Sequence, residues 1–252
     1  MHKELTQEQS KITIESLLEN LRMRLDPSKE ALGAVPLFAG LDDRELESIY
    51  AIARKRTYPK GSFILLEGEP GDAFYLILAG EVKVVTQGAD GREFILAVQR
   101  AGDFFGEMSL FDGQPRSASV VATEDATLLI LYKREFLDQV KHSPPILFKF
   151  LVTLCQRLRD SDKKLTDLAL LDVPHRVCKA LVMLGEGAGM AGDGGDLIIP
   201  KRPTHQDVAN RIGSSRETVT RVFNDLEKQG YISLLGRKIV IRKALLDRLS
   251  RL

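Results

Sequence analysis

This chain of 252 residues is short of several things. It has two cysteines, Cys155 and Cys178. Two thiols cannot build a disulfide framework or ligate an iron–sulfur cluster within one chain, so they read as reduced thiols. No apolar run approaches the roughly 20 residues needed to span a bilayer. The start, Met1-His2-Lys3-Glu4-Leu5-Thr6-Gln7-Glu8, lacks the apolar core of a signal peptide. A cytoplasmic protein with no membrane partner is the expectation. The four histidines, His2, His142, His175 and His205, are scattered, and no nucleophile–base pair accompanies them. This predicts no metal and no catalytic centre. Net charge is also small, +1 in total, but unevenly spread. From Val173 onward there are 14 Lys and Arg against 8 Asp and Glu, net +6; the preceding residues carry 22 against 27, net −5. A basic C-terminal half behind an acidic N-terminal one suits phosphate contact by one half only.

What is present is a soluble composition, 44% apolar and 28% charged, long enough for two cores. Ile12, Ile14, Leu17, Leu18, Leu21 and Leu25 recur at roughly helical spacing and predict a short amphipathic helix. A second helix is expected from Leu41. Between residues 57 and 132 short β-rich runs alternate with glycine-bearing separators, the mark of a barrel or sandwich. The runs are 63–66, 74–78, 82–85, 94–98, 119–122 and 127–131. After Pro144-Pro145, the residues Leu147, Leu151, Leu154, Leu158, Ser161, Leu165 and Leu168 step alternately by four and three. That seam predicts a long helix that pairs with a second copy, although such a stripe also serves as ordinary core. Asp172 is a candidate N-cap for the following helix. The glycine-rich stretch 185–196 lacks the ending of a phosphate loop and reads as a mobile surface loop.

Residues 204–232 are the most telling. Two short helices are separated by Gly213, and a strand 197–199 and a hairpin, 232–235 with 238–241, flank them. Thr204 is expected to cap the first helix. Ser214, with Glu217 three residues later, forms a capping-box pattern for the second. Arg216 and Glu217 then occupy the first turn, with Arg221 on nearly the same face. Arginine can fork onto guanine and glutamate can accept from cytosine. His205, Gln206, Ser215, Thr218 and the hairpin's Arg237 suit phosphate oxygens. Val208, Ile212, Val219, Val222 and Leu226 form the buried faces. The layout is that of a winged helix-turn-helix that binds double-stranded DNA. The same charges would also form a surface ion-pair ladder on a plain helical hairpin.

Residues 105–118 interrupt the strands with Gly106-Glu107-Met108-Ser109 and, nine residues beyond Glu107, Arg116 followed by Ser117. Arginine with neighbouring backbone N–H groups can hold a phosphate, and a glutamate can accept from a ribose hydroxyl. A surface turn with an incidental Glu–Arg pair accounts for the same residues.

With this cassette, the leucine seam, Leu171-Asp172-Val173 and Ser215-Arg216-Glu217-Thr218-Val219 in this order, the sequence resembles the cyclic-AMP receptor/fumarate–nitrate regulator (CRP/FNR) family of bacterial transcription regulators over about residues 35–242. The resemblance implies an α+β fold. Residues 1–34 would form a helical extension, 35–142 a cyclic-nucleotide-binding β-roll, 143–171 a dimerisation helix and 172–252 a winged helix-turn-helix. It further implies that Glu107 holds a ribose hydroxyl, and that Arg116 and Ser117 hold a cyclic phosphate approached closely by Gly106. Val84 and Leu96 would line sugar and base. Ser161 and Asp162 fall where the family contacts adenine across the dimer. Asp162 would also accept from guanine, so cyclic AMP is the expected effector, with cyclic GMP or a cyclic dinucleotide as alternatives. A non-nucleotide signal acting on the same fold is a further alternative, and a phosphodiester-hydrolysing enzyme a remote one. The implied partners are a second copy of the chain, RNA polymerase and an inverted repeat of TGTGA-like half-sites.

Overall fold

The structure, a computed structural model, describes residues 32, 33, 35–188 and 190–249. The amphipathic helix expected from Ile12 to Leu25 lies outside the described residues. The chain divides into two compact units, Met1–Val84 with Ala97–Leu154, and Val85–Leu96 with Cys155–Leu252.

The first unit opens on α1 (Asp43–Ile52), two residues later than expected. Asp42 caps it, accepting from the Glu45 N–H while the Glu45 carboxylate accepts from the Asp42 N–H. The strands β1 (Arg54–Tyr58), β2 (Phe63–Leu65), β3 (Ala73–Ala79), β4 (Glu81–Gln87), β5 (Glu93–Arg100), β6 (Phe104–Phe105), β7 (Ser119–Ala122) and β8 (Ala126–Tyr132) follow. They form two four-stranded sheets in the orders β1-β8-β3-β6 and β2-β7-β4-β5, with residues 85–96 of β4 and β5 counted in the second unit. The turn from β3 to β4 needs Gly80: its φ is +87°, and a Cβ there would sit 2.3 Å from the Asp125 carbonyl oxygen.

Two of these strands escape sequence reasoning. β1 is Arg-Lys-Arg-Thr-Tyr, exposed at all but Tyr58, an edge strand without apolar alternation. β6 is only two residues long. Short helices α2 (Glu107–Asp112) and α3 (Lys133–His142) are also additions to the expected pattern. The core of this unit is aromatic. Phe74 packs edge-on against Phe136 at 4.4 Å, Phe150 at 5.7 Å and Phe104 at 6.3 Å between ring centroids. Phe150 belongs to α4 (Pro144–Leu170), whose two leading prolines occupy first-turn positions where an N–H has no helical partner.

Of the 27 residues of α4 only Ile146 and Phe150 are buried in the single chain. The seam residues Leu147, Leu151, Leu158, Leu165 and Leu168 are exposed, and Leu154 is half-buried.

The second unit contains α5 (Val173–Ala188), β9 (Met190–Ala191), a 3-10 turn (Asp193–Gly195), β10 (Leu197–Ile199), α6 (His205–Ile212), α7 (Arg216–Lys228), β11 (Ile232–Leu235), β12 (Lys238–Ile241) and α8 (Lys243–Leu249). The Asp172 carboxylate accepts from the His175 N–H and caps α5 as expected. The sheet runs β11-β12-β10-β9. Val177, Leu181, Ile199, Val208, Ile212, Val219, Phe223, Ile239 and Leu245 fill the core beneath it. Stretch 185–196 corrects the expectation of a mobile loop. Its first residues continue α5, and β9 and the 3-10 turn take up most of the rest. Gly185 is there for packing, since a Cβ would come within 2.2 Å of Leu197 Cδ2.

Replacing Phe74 by Ala is expected to cost about 3–5 kcal/mol in the first unit, measured as the shift of that unit's denaturant transition; the second unit's transition should stay in place.

Candidate functional site

In the first unit the turn after β6 makes a cradle. Gly106 has φ +81° and opens α2, so the chain reverses where a side chain would be strained. Arg116 lies back into this turn, 5% exposed. Its Nη1 donates to the Gly106 carbonyl at 2.6 Å and its Nη2 to the Ala73 carbonyl at 2.7 Å. Its main chain is pinned too, its N–H donating to Glu69 O and its carbonyl accepting from Gly68 N–H, both at 2.8 Å. The guanidinium lies 6.0 Å from the Tyr75 ring, which itself stacks flat on Phe105. Gly71 and Gly106 close the cradle by having no side chain. A Cβ on Gly71 would meet Arg116 Cζ and Ser109 Cβ at 2.6 Å, and one on Gly106 would meet Arg116 Nη1 at 2.8 Å.

Two features bear on the chemistry of the cradle. Arg116 Nε is buried and donates to nothing in the protein. Glu107 is 3% exposed, so a carboxyl and a guanidinium share the turn. Burial pulls the Arg116 guanidinium below its ordinary value, while Tyr75, Asp72 and Glu107 pull the other way. Burial also raises the Tyr75 hydroxyl. A guanidinium held on two carbonyls with N–H groups to spare is a donor set suited to an oxyanion, and the missing side chains at Gly71 and Gly106 let the guanidinium lie close against the backbone of the turn. The residues therefore fit a phosphate-bearing ligand.

The other expected ligand residues are spread more widely. Ser109 is buried beside Gly71, and Met108 is exposed, its sulfur accepting from the Ser117 hydroxyl at 3.7 Å. Val84 packs against the roll's second cluster. Leu96, Ser161 and Asp162 fall in the second unit. There Lys164 Nζ donates to the Leu96 carbonyl, and the Ser161 hydroxyl donates back to Arg157 O within α4 at 3.0 Å.

The second candidate surface is the helix pair α6–α7. Thr204 caps α6 in a reciprocal box with Asp207. For α7 the cap is Ser215, not Ser214. Its hydroxyl accepts from the Thr218 N–H at 3.2 Å and meets the Thr218 hydroxyl at 3.0 Å. The one-residue correction arises because Ser214 is consumed by the turn, its N–H donating to the Ala209 carbonyl. Arg216 and Glu217 still open the helix, exposed together with Arg221. The Glu217 backbone N–H and the Ser215 hydroxyl hold the Glu217 carboxyl below the usual carboxylate range. Val219, Val222, Phe223 and Leu226 are buried on the opposite face. Arg237 is exposed at the turn of the β11–β12 hairpin, Gln206 Nε2 donates to Asn210 Oδ1 at 2.7 Å, and His205 is half-buried.

Residues 55–143 match the family model of a cyclic nucleotide-binding domain, and residues 175–250 that of a Crp-like helix-turn-helix domain. The chain is 32% identical over 222 residues to the CRP-like cAMP-activated global transcriptional regulator of Mycobacterium tuberculosis, covering 88% of this chain and 98% of that one. It is 35% identical over 212 residues to the cyclic AMP receptor protein of Thermus thermophilus, covering 84% and 94%. The chain belongs to the CRP/FNR family of transcription regulators. Among solved structures, the c-di-GMP-responsive global regulator CLP of Xanthomonas campestris superposes with a TM-score of 0.71 at 27% identity, covering 79% of this chain and 99% of that one. As a CRP/FNR regulator the chain is a DNA-binding protein under cyclic-nucleotide control.

Sequence reasoning missed Gly71, Tyr75 and Arg202 at these sites. Gly71 lay inside a separator whose glycines looked interchangeable. Arg202 precedes Pro203 and the Thr204 cap, a position whose signal is the rigid entry to α6.

The capping geometry makes Ser215→Ala cost about 1 kcal/mol in the second unit while Ser214→Ala costs little. Equal losses in thermal unfolding would return the cap to Ser214.

Proposed function

We propose that the chain is a homodimeric transcription regulator that is not an enzyme. In this reading the Arg116 cradle takes the cyclic phosphate of a cyclic nucleotide, cyclic AMP foremost, and α7 reads the DNA. The observation that carries the ligand reading is the buried Arg116 guanidinium with its unpartnered Nε, facing Gly71 and Gly106. Glu107 holds the ribose hydroxyl and Ser117 supplements the phosphate contacts. The family resemblance assigns the apolar lining to Val84 and Leu96 and the base to Ser161 and Asp162.

A second effector reading has specific support. Asp162 stands where the family has a residue that contacts adenine, and a carboxylate accepts equally well from guanine N1–H and N2–H2. The structural relative CLP is described as c-di-GMP-responsive. A cyclic dinucleotide or cyclic GMP is therefore the alternative to test beside cyclic AMP.

The exposed leucine row along α4 supports dimerisation. Leu151, Leu158 and Leu165 are 58%, 63% and 64% exposed in the single chain and recur at coiled-coil spacing. Two copies joined there present two α7 helices, as a helix-turn-helix dimer requires for half-sites about one helical turn apart. Arg216, Glu217 and Arg221 then supply base contacts, with Ser215, Thr218, Gln206 and Arg237 on the backbone side. RNA polymerase is the expected further partner.

We infer that the second unit contributes to coupling through its own contacts. The distal ribbon of β4–β5 is bonded to the reading unit, since Asn210 Nδ2 donates to Glu93 Oε1 at 2.9 Å. Phe94 lies 3.5 Å from where a Cβ on Gly213 would be. The ribbon is thus tied to the start of the turn between α6 and α7. A ligand that binds better to the chain's DNA-competent state shifts it toward that state by that differential affinity and no more.

Calorimetry with cyclic AMP, cyclic GMP and cyclic di-GMP should give saturable binding for one of them. Arg116→Leu should lower that affinity by about a hundredfold or more without unfolding the chain; unchanged affinity would remove Arg116 from the site. Footprinting should show protection of an inverted repeat of TGTGA-like half-sites, and equal affinity for scrambled DNA at matched salt would refute that specificity.

A further inference from the structure

The hydrogen bonds around His205 form a directed chain. The Thr220 hydroxyl donates its one proton to the Arg216 carbonyl at 2.9 Å. That hydroxyl also lies 2.8 Å from His205 Nδ1, so the proton in this second bond must come from the imidazole. His205 Nε2 lies 3.1 Å from Arg202 Nη2, which only donates, so Nε2 must be the bare nitrogen. One protonation state satisfies both contacts: a neutral ring with its proton on Nδ1. A doubly protonated ring would set an N–H against the arginine's N–H.

The surroundings favour the same state. The Phe223 ring lies 4.5 Å from the imidazole. The charged groups acting on the ring are Arg202, from the segment before α6, and Arg216, from the first turn of α7, both cations; Asp207 on its own helix is engaged by the Thr204 cap. Burial first, then those two cations, hold the His205 imidazole below its ordinary 6.5. Arg202 is anchored from its other end as well, its N–H donating at 2.6 Å to the carbonyl of Arg237 in the hairpin turn. Arg202, Thr204, Gln206 and Arg216 surround an open basin of about 550 Å3 with no carboxylate in its lining.

We propose that His205 is a positioning residue for DNA binding, whose neutral ring holds the Arg202 guanidinium beside Arg216 so that Arg202, rather than His205, takes the backbone phosphate. The relay Arg202→His205→Thr220→Arg216 carbonyl ties the approach to α6, helix α6 and helix α7 into one unit. This rests on the DNA-binding reading of α6–α7, but its central element, the tautomer, does not. The sign of the pH effect follows. A histidine whose folded pKa is depressed contributes stability that is present above 6.5 and lost as pH falls through the folded value.

The test uses the full-length chain labelled in histidine nitrogen, with the His205 signal assigned by its loss in His205→Gln. Long-range proton–nitrogen correlation at neutral pH should show the proton on Nδ1 and a bare Nε2; a proton on Nε2 would overturn the relay. Binding to a mixed-sequence duplex at low salt needs no effector. There Arg202→Ala and His205→Ala should each weaken affinity roughly tenfold, and the double variant no further than either alone. Each single variant should also flatten the salt dependence by about one phosphate contact. His205→Gln, whose amide accepts from Arg202 and donates to Thr220, should keep the original affinity. Additive losses would contradict the proposal, because they assign His205 its own contact with DNA. If the unsubstituted chain binds no duplex, the DNA-binding reading fails, and the tautomer still decides the relay.

Discussion

Burying the Arg116 charge is the constraint on which the first unit's site depends. Taking a guanidinium out of water costs several kcal/mol unless its donors are met, roughly the penalty of any desolvated ion. Two carbonyls meet part of that need, at Gly106 and Ala73. The left-handed turn at Gly106 presents its own carbonyl, β3 brings the one at Ala73, and the bare Gly71 leaves room for the side chain to lie down. The buried Nε–H has no acceptor within the protein, and under the proposed function an anionic ligand would offset the charge. The same side chain that the fold must accommodate is the one proposed to hold the ligand.

The second unit solves a different problem with related means. Its helices need capped ends and a packed underside before any side chain can be aimed at DNA. Thr204 and Ser215 satisfy the first requirement, and Val208, Val219 and Phe223 the second. What is left outside at the start of α7 is Arg216 and Glu217, with Arg221 on the following turn. A winged helix-turn-helix reads bases through such preorganisation, because a fixed backbone leaves only the side chains to be ordered on docking.

Much of this was legible in the sequence, and the reasons are specific. The six apolar runs marked six of the eight strands because half-buried strands alternate and glycine punctuates them. The hairpin 232–235 with 238–241 was placed to the residue because Gly236-Arg237 leaves one turn geometry available, with Gly236 at φ +58°. β1 was invisible because an exposed edge strand rich in Arg and Lys carries no apolar period. The cap falls one residue beyond Ser214 because Ser214 and Ser215 are chemically alike, and only the backbone decides which is used. The glycines at 185–196 suggested looseness, whereas Gly185 is a contact residue whose missing side chain accommodates Leu197. The residue type of His205 suits a phosphate ligand; that both ring nitrogens are engaged within the protein is a tertiary fact no spacing encodes.

The central claim is that the pocket around Arg116 governs how tightly α7 holds DNA, and linkage gives it a direct test. Affinity for an inverted-repeat duplex is measured at fixed salt with and without saturating cyclic nucleotide, and nucleotide affinity with and without that duplex. The account predicts the same factor of enhancement in both directions, as reciprocity demands, and its loss in Arg116→Leu. Identical DNA affinity at every concentration of cyclic AMP, cyclic GMP and cyclic di-GMP would contradict it.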